Sequence, residues 1–270
     1  MRIVDLAKML EEMFPLRLQE KYDNAGPQIL FREEAVVSVL ISLDLDKGVV
    51  AEAVDRGCNL IITHHPPLFK PLKSMDSADP RSELIFSLIN NRISLYAVHT
   101  NLDKVYYSRL GEALCLREGR LLYETDVLDE NTPVGFGFLA ELPEPQPLRL
   151  LMKRIKEGLA TDYLIYSGDP EVLVKRMAII NGAGSSFIER IASAGMADCV
   201  LTGDVGYHQG RMAQDYSLAV IDAGHFGTEK VLMPFLKQQL AGKLRKADGG
   251  KEISLHLAEE ERSPFRLFRD

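Results

Sequence analysis

The sequence predicts an α/β protein with two similar halves, each built on a mainly parallel sheet. Short apolar runs of strand length alternate with stretches of helical length, and this alternation is typical of βαβ units. The same order of elements recurs in the second part of the chain. We therefore expect two structurally similar α/β halves in one chain.

The first half, residues 1–125, is predicted to contain a helix followed by strands that are buried on both faces. Apolar residues recur at helical spacing from Ile3 to Met13, and Pro15 ends this pattern. Each of the next apolar runs is near-continuous, as in a parallel sheet that is covered on both sides. The predicted strands are residues 36–43, 59–63 and 94–98, and the predicted helices between them are residues 47–56 and 82–91.

The centre of the chain, residues 126–175, is predicted to be a connecting region with a short antiparallel segment. Prolines interrupt it, and residues 135–142 favour an antiparallel strand or the edge of a subdomain. The second half, residues 176–270, returns to the earlier pattern. Its predicted strands are residues 177–181, 199–202 and 218–221, with a helix near residues 188–194.

Two pairs of segments indicate an internal repeat. Residues 57–65 resemble residues 195–204, because each segment starts with a glycine and ends a strand in a polar turn. Residues 94–103 resemble residues 217–225 in a similar way. Such a repeat would direct the carboxyl ends of both sets of strands at one cleft between the halves, and α/β sheets bind ligands at these ends.

The composition narrows the class of protein. The chain has 270 residues, 46% of them hydrophobic and 26% charged, which are ordinary values for a globular protein. A net charge of −7 argues against broad nucleic-acid binding, because neutralising phosphates requires clustered Lys and Arg. No run reaches the ~18 apolar residues of a membrane helix, and early charges at Arg2 and Asp5 do not fit a signal peptide. We expect a cytoplasmic protein with no membrane partner.

Four histidines stand at or just past the ends of predicted strands: His64, His65, His99 and His225. Neighbouring residues of a strand face opposite sides, so His64 and His65 can share a site only where the chain leaves the sheet, and the following prolines favour that exit. Imidazole and carboxylate groups without a nearby cysteine are the ligands of hydrolytic zinc, manganese or iron sites. The alternative is that each histidine is a polar residue hydrogen-bonded to the backbone.

Two carboxylates near these histidines also have two interpretations. Asp103 would be a helix N-cap in the absence of the histidines. His225 and Glu229 lie four residues apart at the start of a helix, a spacing that lets both side chains reach one ion. Glu229 alone would equally suit the first turn of a helix, where the helix dipole favours an acidic group.

Several motifs together resemble one family, the Nif-three-like dinuclear metal-centre proteins, some of which are called GTP cyclohydrolase type 2 homologues. The matching segments are residues 22–28, 59–69 with the Thr-His-His-Pro core, 97–103, 202–204 and 221–225 with Glu229. They span nearly the whole chain in the same order. The chain differs from the family pattern at Tyr22, Pro27 and Tyr207, and the insert of longer members is absent or reduced to about residues 125–175.

The resemblance implies a site for two divalent metal ions per subunit, either zinc, iron or manganese. The implied ligands are His64, His65, Asp103, His225 and Glu229. It also implies a toroidal homohexamer whose sites face an internal cavity. His99, Asp204 and His208 are the nearest candidates for orienting ligands or transferring protons, with Asp222 beside them. A purely structural role for His208 and Asp222 stays open.

Two metal ions lower the pKa of a shared water and stabilise the entering and leaving oxygens, so hydrolysis is the expected chemistry. The resulting hypothesis is a metal-dependent hydrolase that acts on a nucleotide or a similar small substrate. One alternative is ring opening of the GTP cyclohydrolase type, although the sequence has no P-loop and no Asn-Lys-x-Asp motif for guanine. The other alternative is a non-catalytic metal-binding ring.

Overall fold

A computed structural model of the protein describes residues 1–247 and 253–268. The structure is mixed α/β with two sheets, which confirms the predicted fold class. Contacts within the chain divide it into two compact units. Unit 1 comprises Met1–Leu102 and Met233–Arg262, and unit 2 comprises Asp103–Leu232 and Ser263–Asp270.

Unit 1 is built on a five-stranded sheet. Its strands are β1 (Gly26–Ile29), β2 (Ser38–Ser42), β3 (Leu60–Thr63), β4 (Ser94–Ala97) and β11 (Ser254–Leu257). Its helices are α1 (Ile3–Met13), α2 (Lys47–Asp55), α3 (Pro80–Asn90) and α10 (Met233–Ala247), with a 3-10 turn at Leu16–Leu18 and α4 (Thr100–Val105) at its boundary with unit 2. The strand order is β1-β4-β3-β2-β11, in which only β1 is antiparallel to its neighbour.

The sequence of unit 1 explains these elements locally. Every residue of β2, β3 and β4 is buried, which accounts for their continuous apolar runs. Leu40, Ile61 and Leu95 of these strands share one core cluster with residues of α2 and α3. Asp46 precedes helix α2 and is its N-cap, because its side chain accepts a hydrogen bond from the Val49 amide.

Unit 2 is built on a six-stranded sheet. Its strands are β5 (Gly119–Val127), β6 (Pro133–Pro147), β7 (Ile165–Ser167), β8 (Leu173–Ile179), β9 (Cys199–Thr202) and β10 (Ala219–Asp222). Its helices are α5 (Arg109–Ala113), α6 (Leu148–Gly158), α7 (Ile188–Ser193), α8 (Tyr207–Asp215) and α9 (His225–Lys230), with a 3-10 turn at Ser185–Phe187. The strand order is β5-β6-β8-β9-β10-β7, and β8, β9 and β10 are parallel to one another.

The two sheets share a common arrangement, as expected of two similar halves. In each unit three successive parallel strands follow an antiparallel edge strand, β1 to β4 in unit 1 and β7 to β10 in unit 2. Gly57 and Gly195 end equivalent helices with φ of +64° and +57°. In unit 1 the Cys58 amide then bonds to the Ala53 carbonyl at 2.8 Å, and in unit 2 Met196 donates the equivalent bond at 3.1 Å. This left-handed helix ending connects helix to strand in both units.

The observed division of the chain differs from the predicted boundaries near residues 125 and 175. Strands β5 and β6 pair with the sheet of unit 2, so residues 126–175 belong to that sheet. The predicted antiparallel strand at 135–142 lies within β6. Helix α10 and strand β11 return to unit 1, where β11 pairs with β2. No helix within residues 1–247 and 253–268 is long and apolar enough to span a membrane.

Candidate metal centre

Polar side chains gather just beyond the carboxyl ends of the parallel strands in each unit. In unit 1 these ends are those of β2, β3 and β4, and in unit 2 they are those of β8, β9 and β10. The residues that follow them are Asp44, His64, His65 and His99 in unit 1, and Asn181, Asp204 and His225 in unit 2. The carboxyl ends of parallel strands are the usual ligand-binding edge of an α/β sheet.

Three imidazoles of unit 1 form a compact cluster. His64, His65 and His99 each offer a ring nitrogen, and these atoms lie within 4.8 Å of one another. The amides of His64 and His65 both bond to the Leu43 carbonyl, at 3.1 and 2.9 Å. Because successive amides of a regular strand point to opposite sides, this shared acceptor marks the place where the chain leaves the sheet. The bend before Pro66 therefore lets two adjacent histidines face one site.

Hydrogen bonds fix the ring orientation of the first two histidines. His64 is fully buried, and its Nδ1 lies 2.8 Å from the Val98 carbonyl oxygen. A carbonyl only accepts hydrogen bonds, so Nδ1 carries the proton and Nε2 of the neutral ring keeps its lone pair. His65 has its Nδ1 2.8 Å from Oδ1 of Asp44. The carboxylate likewise places the proton of His65 on Nδ1, so Nε2 is the nitrogen that could bind a metal ion.

A buried carboxylate holds the third imidazole. Nδ1 of His99 lies 2.7 Å from Oδ1 of Asp23, whose side chain has no exposed surface. The other oxygen of Asp23 accepts hydrogen bonds from the amide, at 3.1 Å, and from the hydroxyl of Thr100. Burial raises the pKa of Asp23, but the hydrogen bonds from His99 and Thr100 outweigh it, and the pKa lies below its ordinary value. Asp23 is therefore an anion that keeps a proton on Nδ1 of His99.

Unit 2 brings three carboxylates and an imidazole together. His225 opens α9, and its Nε2 lies 3.0 Å from Oε2 of buried Glu229, one helical turn later. Nδ1 of His225 bonds to Asp204 at 2.7 Å. Asp103 offers a carboxylate oxygen within 4.8 Å of one on Glu229, and its Oδ1 accepts a 2.6 Å hydrogen bond from the Asn181 amide group.

Backbone conformation clears space for these side chains. Gly182 has φ of +61°, and a Cβ on it would lie 1.9 Å from Oε1 of Glu229. A Cβ on Gly203 would lie 2.6 Å from the amide nitrogen of His225. Asp204 has φ of +57°, a left-handed conformation that is costly for a residue with a Cβ. The side chain of Glu229 and the backbone of His225 thus leave no room for a larger residue at Gly182 and Gly203, respectively.

The donor chemistry of both clusters fits a divalent metal ion. The groups are imidazole nitrogens and carboxylate oxygens without a thiolate, and zinc, manganese and iron accept this mixture. Metal-binding histidines almost always donate the other ring N–H to a carboxylate or a carbonyl, as all three imidazoles of the unit 1 cluster do. A cation would also offset the cost of burying Asp103 and Glu229. These groups of residues could therefore bind metal.

The model of one protein family matches almost the entire chain. It is that of Duf34/NIF3 (NGG1p interacting factor 3), and it covers residues 1–264. The chain belongs to the Duf34/NIF3 family. This NIF3-family chain is 34% identical over 250 residues to a Clostridium acetobutylicum protein named GTP cyclohydrolase 1 type 2 homolog, covering 91% of this chain and 92% of the relative. A Clostridium perfringens protein of the same name is 30% identical over 270 residues, covering 99% of this chain and 100% of the relative.

Solved structures share the fold of this NIF3-family chain. A Bacillus cereus protein related to NIF3 superposes with a TM-score of 0.91 at 22% identity, over 99% of both chains. A hypothetical protein of Staphylococcus aureus superposes with a TM-score of 0.90 at 27% identity, again over 99% of both chains. The family model and the two relatives confirm the family resemblance inferred from the motifs, and these structures confirm the fold.

All but one of the predicted site residues of the NIF3-family chain belong to one of two groups of neighbouring side chains. Unit 1 brings His64, His65 and His99 together, whereas unit 2 brings Asp103, Asp204, His225 and Glu229 together. The exception is His208, whose ring lies 5.5 Å from that of Tyr207 on the exposed start of α8. In the part of the chain that the structure describes, no hydrogen bond connects it to Asp204 or His225. Its role as an orienting residue has no structural support.

Asp222 has a structural explanation of its own. Its carboxylate accepts hydrogen bonds from the amides of Val205 and Gly224, at 2.8 and 2.9 Å, and these bonds hold the turns after β9 and β10.

Three residues that contact the candidate site were not predicted from the sequence, namely Asp23, Asp44 and Asn181. The available signals were the place of Asp23 in the motif at residues 22–28 and the positions of Asp44 and Asn181 beyond strand ends.

Proposed function

We propose that the protein binds two divalent metal ions per subunit and is a metal-dependent hydrolase acting on a nucleotide or a similar small substrate. The proposed ligands are His64, His65, Asp103, His225 and Glu229. The observation that carries the proposal is the orientation of the three clustered imidazoles of unit 1, those of His64, His65 and His99. Each has its Nδ1 bonded to an oxygen, and this leaves Nε2 of each ring as the nitrogen that can bind metal.

The carboxylates of unit 2 support the same proposal. Asp103 and Glu229 are buried close to each other, and two neighbouring anions in a low dielectric repel unless a cation compensates them. His225 bonds to Asp204 through Nδ1 and directs Nε2 to Glu229. An imidazole and two carboxylates in this arrangement suit a divalent ion of the zinc, manganese or iron type.

The bound ions would supply Lewis-acid activation of water and of the bond to be hydrolysed. The chain itself offers His99 for proton transfer. Asp23 keeps the proton of His99 on Nδ1, so that Nε2 can accept a proton from a reacting group, and the carboxylate would stabilise the imidazolium that results. Asp204 holds the proton on Nδ1 of His225 in the same manner. These two residues are positioning residues, because they act through the imidazoles.

The name of the curated relatives favours a nucleotide as the substrate, with ring opening of GTP as the narrower possibility. The absence of a P-loop and of a guanine-reading motif in the sequence weighs against a specific guanosine triphosphate site. A metal-binding ring without turnover is the remaining alternative. We also propose that the protein is a toroidal homohexamer and that it is cytoplasmic. Sedimentation equilibrium of the purified protein measures the number of subunits.

Elemental analysis under non-chelating conditions tests the metal site directly. We expect about two ions per chain in the wild type, as in two-metal hydrolases, and loss of metal in His64→Ala/His65→Ala. Because His64 is fully buried, Glu229→Gln serves as a second variant that conserves side-chain volume. The matched control is His208→Ala, which removes an exposed imidazole and should retain the metal.

The result decides between the functions. A wild-type protein without metal, or full metal content in both ligand variants, would contradict the site. Phosphoester and nucleotide hydrolysis that is lost on chelation and restored by one metal supports the hydrolase. Bound metal without turnover over a broad substrate panel instead supports the non-catalytic ring.

A further inference from the structure

Two exposed aromatic rings, those of Phe69 and Tyr22, lie beside the imidazole cluster of unit 1. The ring of Phe69 lies 6.2 Å from that of His99, edge to face, and the ring of Tyr22 lies 6.4 Å from that of Phe69. Tyr22 is 65% exposed and Phe69 is 40% exposed. Single exposed hydrophobic residues are common on any protein, but these two adjoin each other and a cluster of proposed functional imidazoles.

The backbone that carries these rings is held in place. The Asn24 side-chain amide donates to the Leu68 carbonyl at 2.7 Å, and the Leu68 amide donates to Oε1 of Gln28 at 3.3 Å. Both bonds join the segment that follows the adjacent histidines to the segment that contains Tyr22. The residues before Leu68, Pro66 and Pro67, restrict that segment further. The rings are therefore preorganised next to the imidazoles, and preorganisation lowers the entropic cost of binding.

Lysines flank both aromatic residues in the sequence. Lys21 precedes Tyr22, Lys70 follows Phe69, and both lysines are exposed. Positive charge at this position contrasts with the net charge of −7 of the whole chain. Two exposed aromatic rings that are tilted by 57° to each other, each with a lysine next to it in the sequence, suit a ligand that has a planar ring and an anionic group.

We propose that Tyr22 and Phe69 form a stacking platform for the base of a nucleoside phosphate, and that Lys21 and Lys70 attract its phosphate. The platform rests on the proposed function and specifies its substrate, because it places a planar base beside the imidazole cluster. Stacking on aromatic side chains tolerates different bases, since every base has a π-face. The platform accordingly selects for an aromatic base and discriminates weakly between purines.

The absence of tryptophan from the sequence permits a direct test. Tyr22→Trp introduces a single fluorescent reporter on the platform, and Phe69→Trp is a second reporter in case the first does not fold. The matched control is Val37→Trp, because Val37 is 63% exposed and precedes β2, at the opposite end of the strands from the imidazoles. Each variant is titrated with guanosine 5′-monophosphate, adenosine 5′-monophosphate and ribose 5-phosphate.

We expect both nucleotides to quench the platform reporters saturably, ribose 5-phosphate to leave them unchanged, and the control reporter to respond to none. Equal quenching of the control, or no quenching in folded protein that contains metal, would overturn the platform. The metal content of the same samples separates the two proposals. Protein without metal whose platform reporter still responds contradicts the metal site but supports the platform.

Alanine substitution provides an independent measurement in the natural sequence background. In calorimetric titration with guanosine 5′-monophosphate, the dissociation constant of Tyr22→Ala should be about tenfold larger than that of the wild type. A change of this size is typical when one base-stacking side chain is replaced by alanine. Tyr22→Phe keeps the ring and should bind as the wild type does. Equal affinity in Tyr22→Ala and the wild type would refute stacking on this residue.

Discussion

Single residues in this protein act mainly by fixing the direction of an imidazole. Each of the three clustered histidines of unit 1 has a partner that engages Nδ1, and two of the three partners are carboxylates, Asp44 and Asp23. The partners differ in exposure, since the Asp23 side chain is fully buried and the Asp44 side chain is 48% exposed. Asp44 can therefore be removed with little effect on packing, which separates its orienting role from a structural one.

Replacement of Asp44 by alanine should weaken metal binding while the fold is retained. Nδ1 of His65 loses its acceptor, and removal of such a partner typically lowers metal affinity by about 10- to 100-fold. Competition with a chromophoric chelator measures the affinity, and circular dichroism monitors the fold. Asp55→Ala removes an exposed carboxylate of the same unit and serves as the control. An unchanged affinity in Asp44→Ala would show that His65 needs no orienting partner.

The sequence identified the histidines of the candidate site and Asp204 beside His225, but not the two carboxylates that orient His99 and His65. Asp23 reaches His99 across 76 positions of the chain, and Asp44 reaches His65 across 21. Such pairs depend on which strands are neighbours and on their register, and composition or spacing within one segment contains neither. The adjacent His64 and His65 were recognisable because the proline pair after them is a local signal.

At the scale of elements, left-handed glycines serve two different purposes. Gly195 ends α7 with φ of +57°, and a Cβ there would meet nothing within 4 Å. Gly182 follows β8 with a similar φ of +61°, but a Cβ there would overlap the Glu229 carboxylate. The first glycine is needed only for the turn of the backbone, and the second is also needed for the space that Glu229 occupies.

Alanine substitution at these two glycines should separate the purposes. Both variants should lose about 1–2 kcal/mol of stability, the cost of a left-handed conformation for a residue with a Cβ. Only Gly182→Ala should also lose metal, because its methyl group displaces Glu229. Thermal denaturation and elemental analysis of the two proteins provide the comparison. Equal metal content in both would indicate that Glu229 is not a ligand, or that its position is not constrained by Gly182.

The apolar pattern located the strands of the parallel sheets well and the antiparallel strands poorly. The predicted strand at 199–202 coincides with β9, since burial on both faces produces a continuous apolar run. Strand β5 was not predicted, and the predicted segment 135–142 covers only the central part of β6. In β6, a Cβ on Gly135 would lie 1.9 Å from the Tyr123 carbonyl oxygen, so close pairing itself requires glycine. Gly135 begins the predicted segment 135–142, whereas the prolines on either side of that segment resemble a loop in the sequence.

At the scale of the whole molecule, the chain has two units with the same core arrangement, and unit 1 is completed by residues distant in sequence. Strand β11 adds to β2 in register from Ser254 with Ser38 to Leu257 with Ile41. The sequence of a four-residue edge strand does not indicate which of the two sheets the strand joins. The similarity of the halves was predictable because helix endings and strand ends repeat locally, whereas the discontinuous composition of unit 1 was not.

Metal removal should lower the thermal stability of the whole protein if the proposed ligands bind ions only in the folded state. A ligand specific for the native state adds about 2.7 kcal/mol when its free concentration is 100 times the dissociation constant. The unfolding midpoint should therefore rise with added metal and fall with a chelator, as measured by differential scanning calorimetry. Glu229→Gln should lose most of this dependence, while His208→Ala should respond as the wild type does. Equal shifts in all three proteins would assign the effect to metal bound elsewhere, and the proposed ligands would then have no role in it.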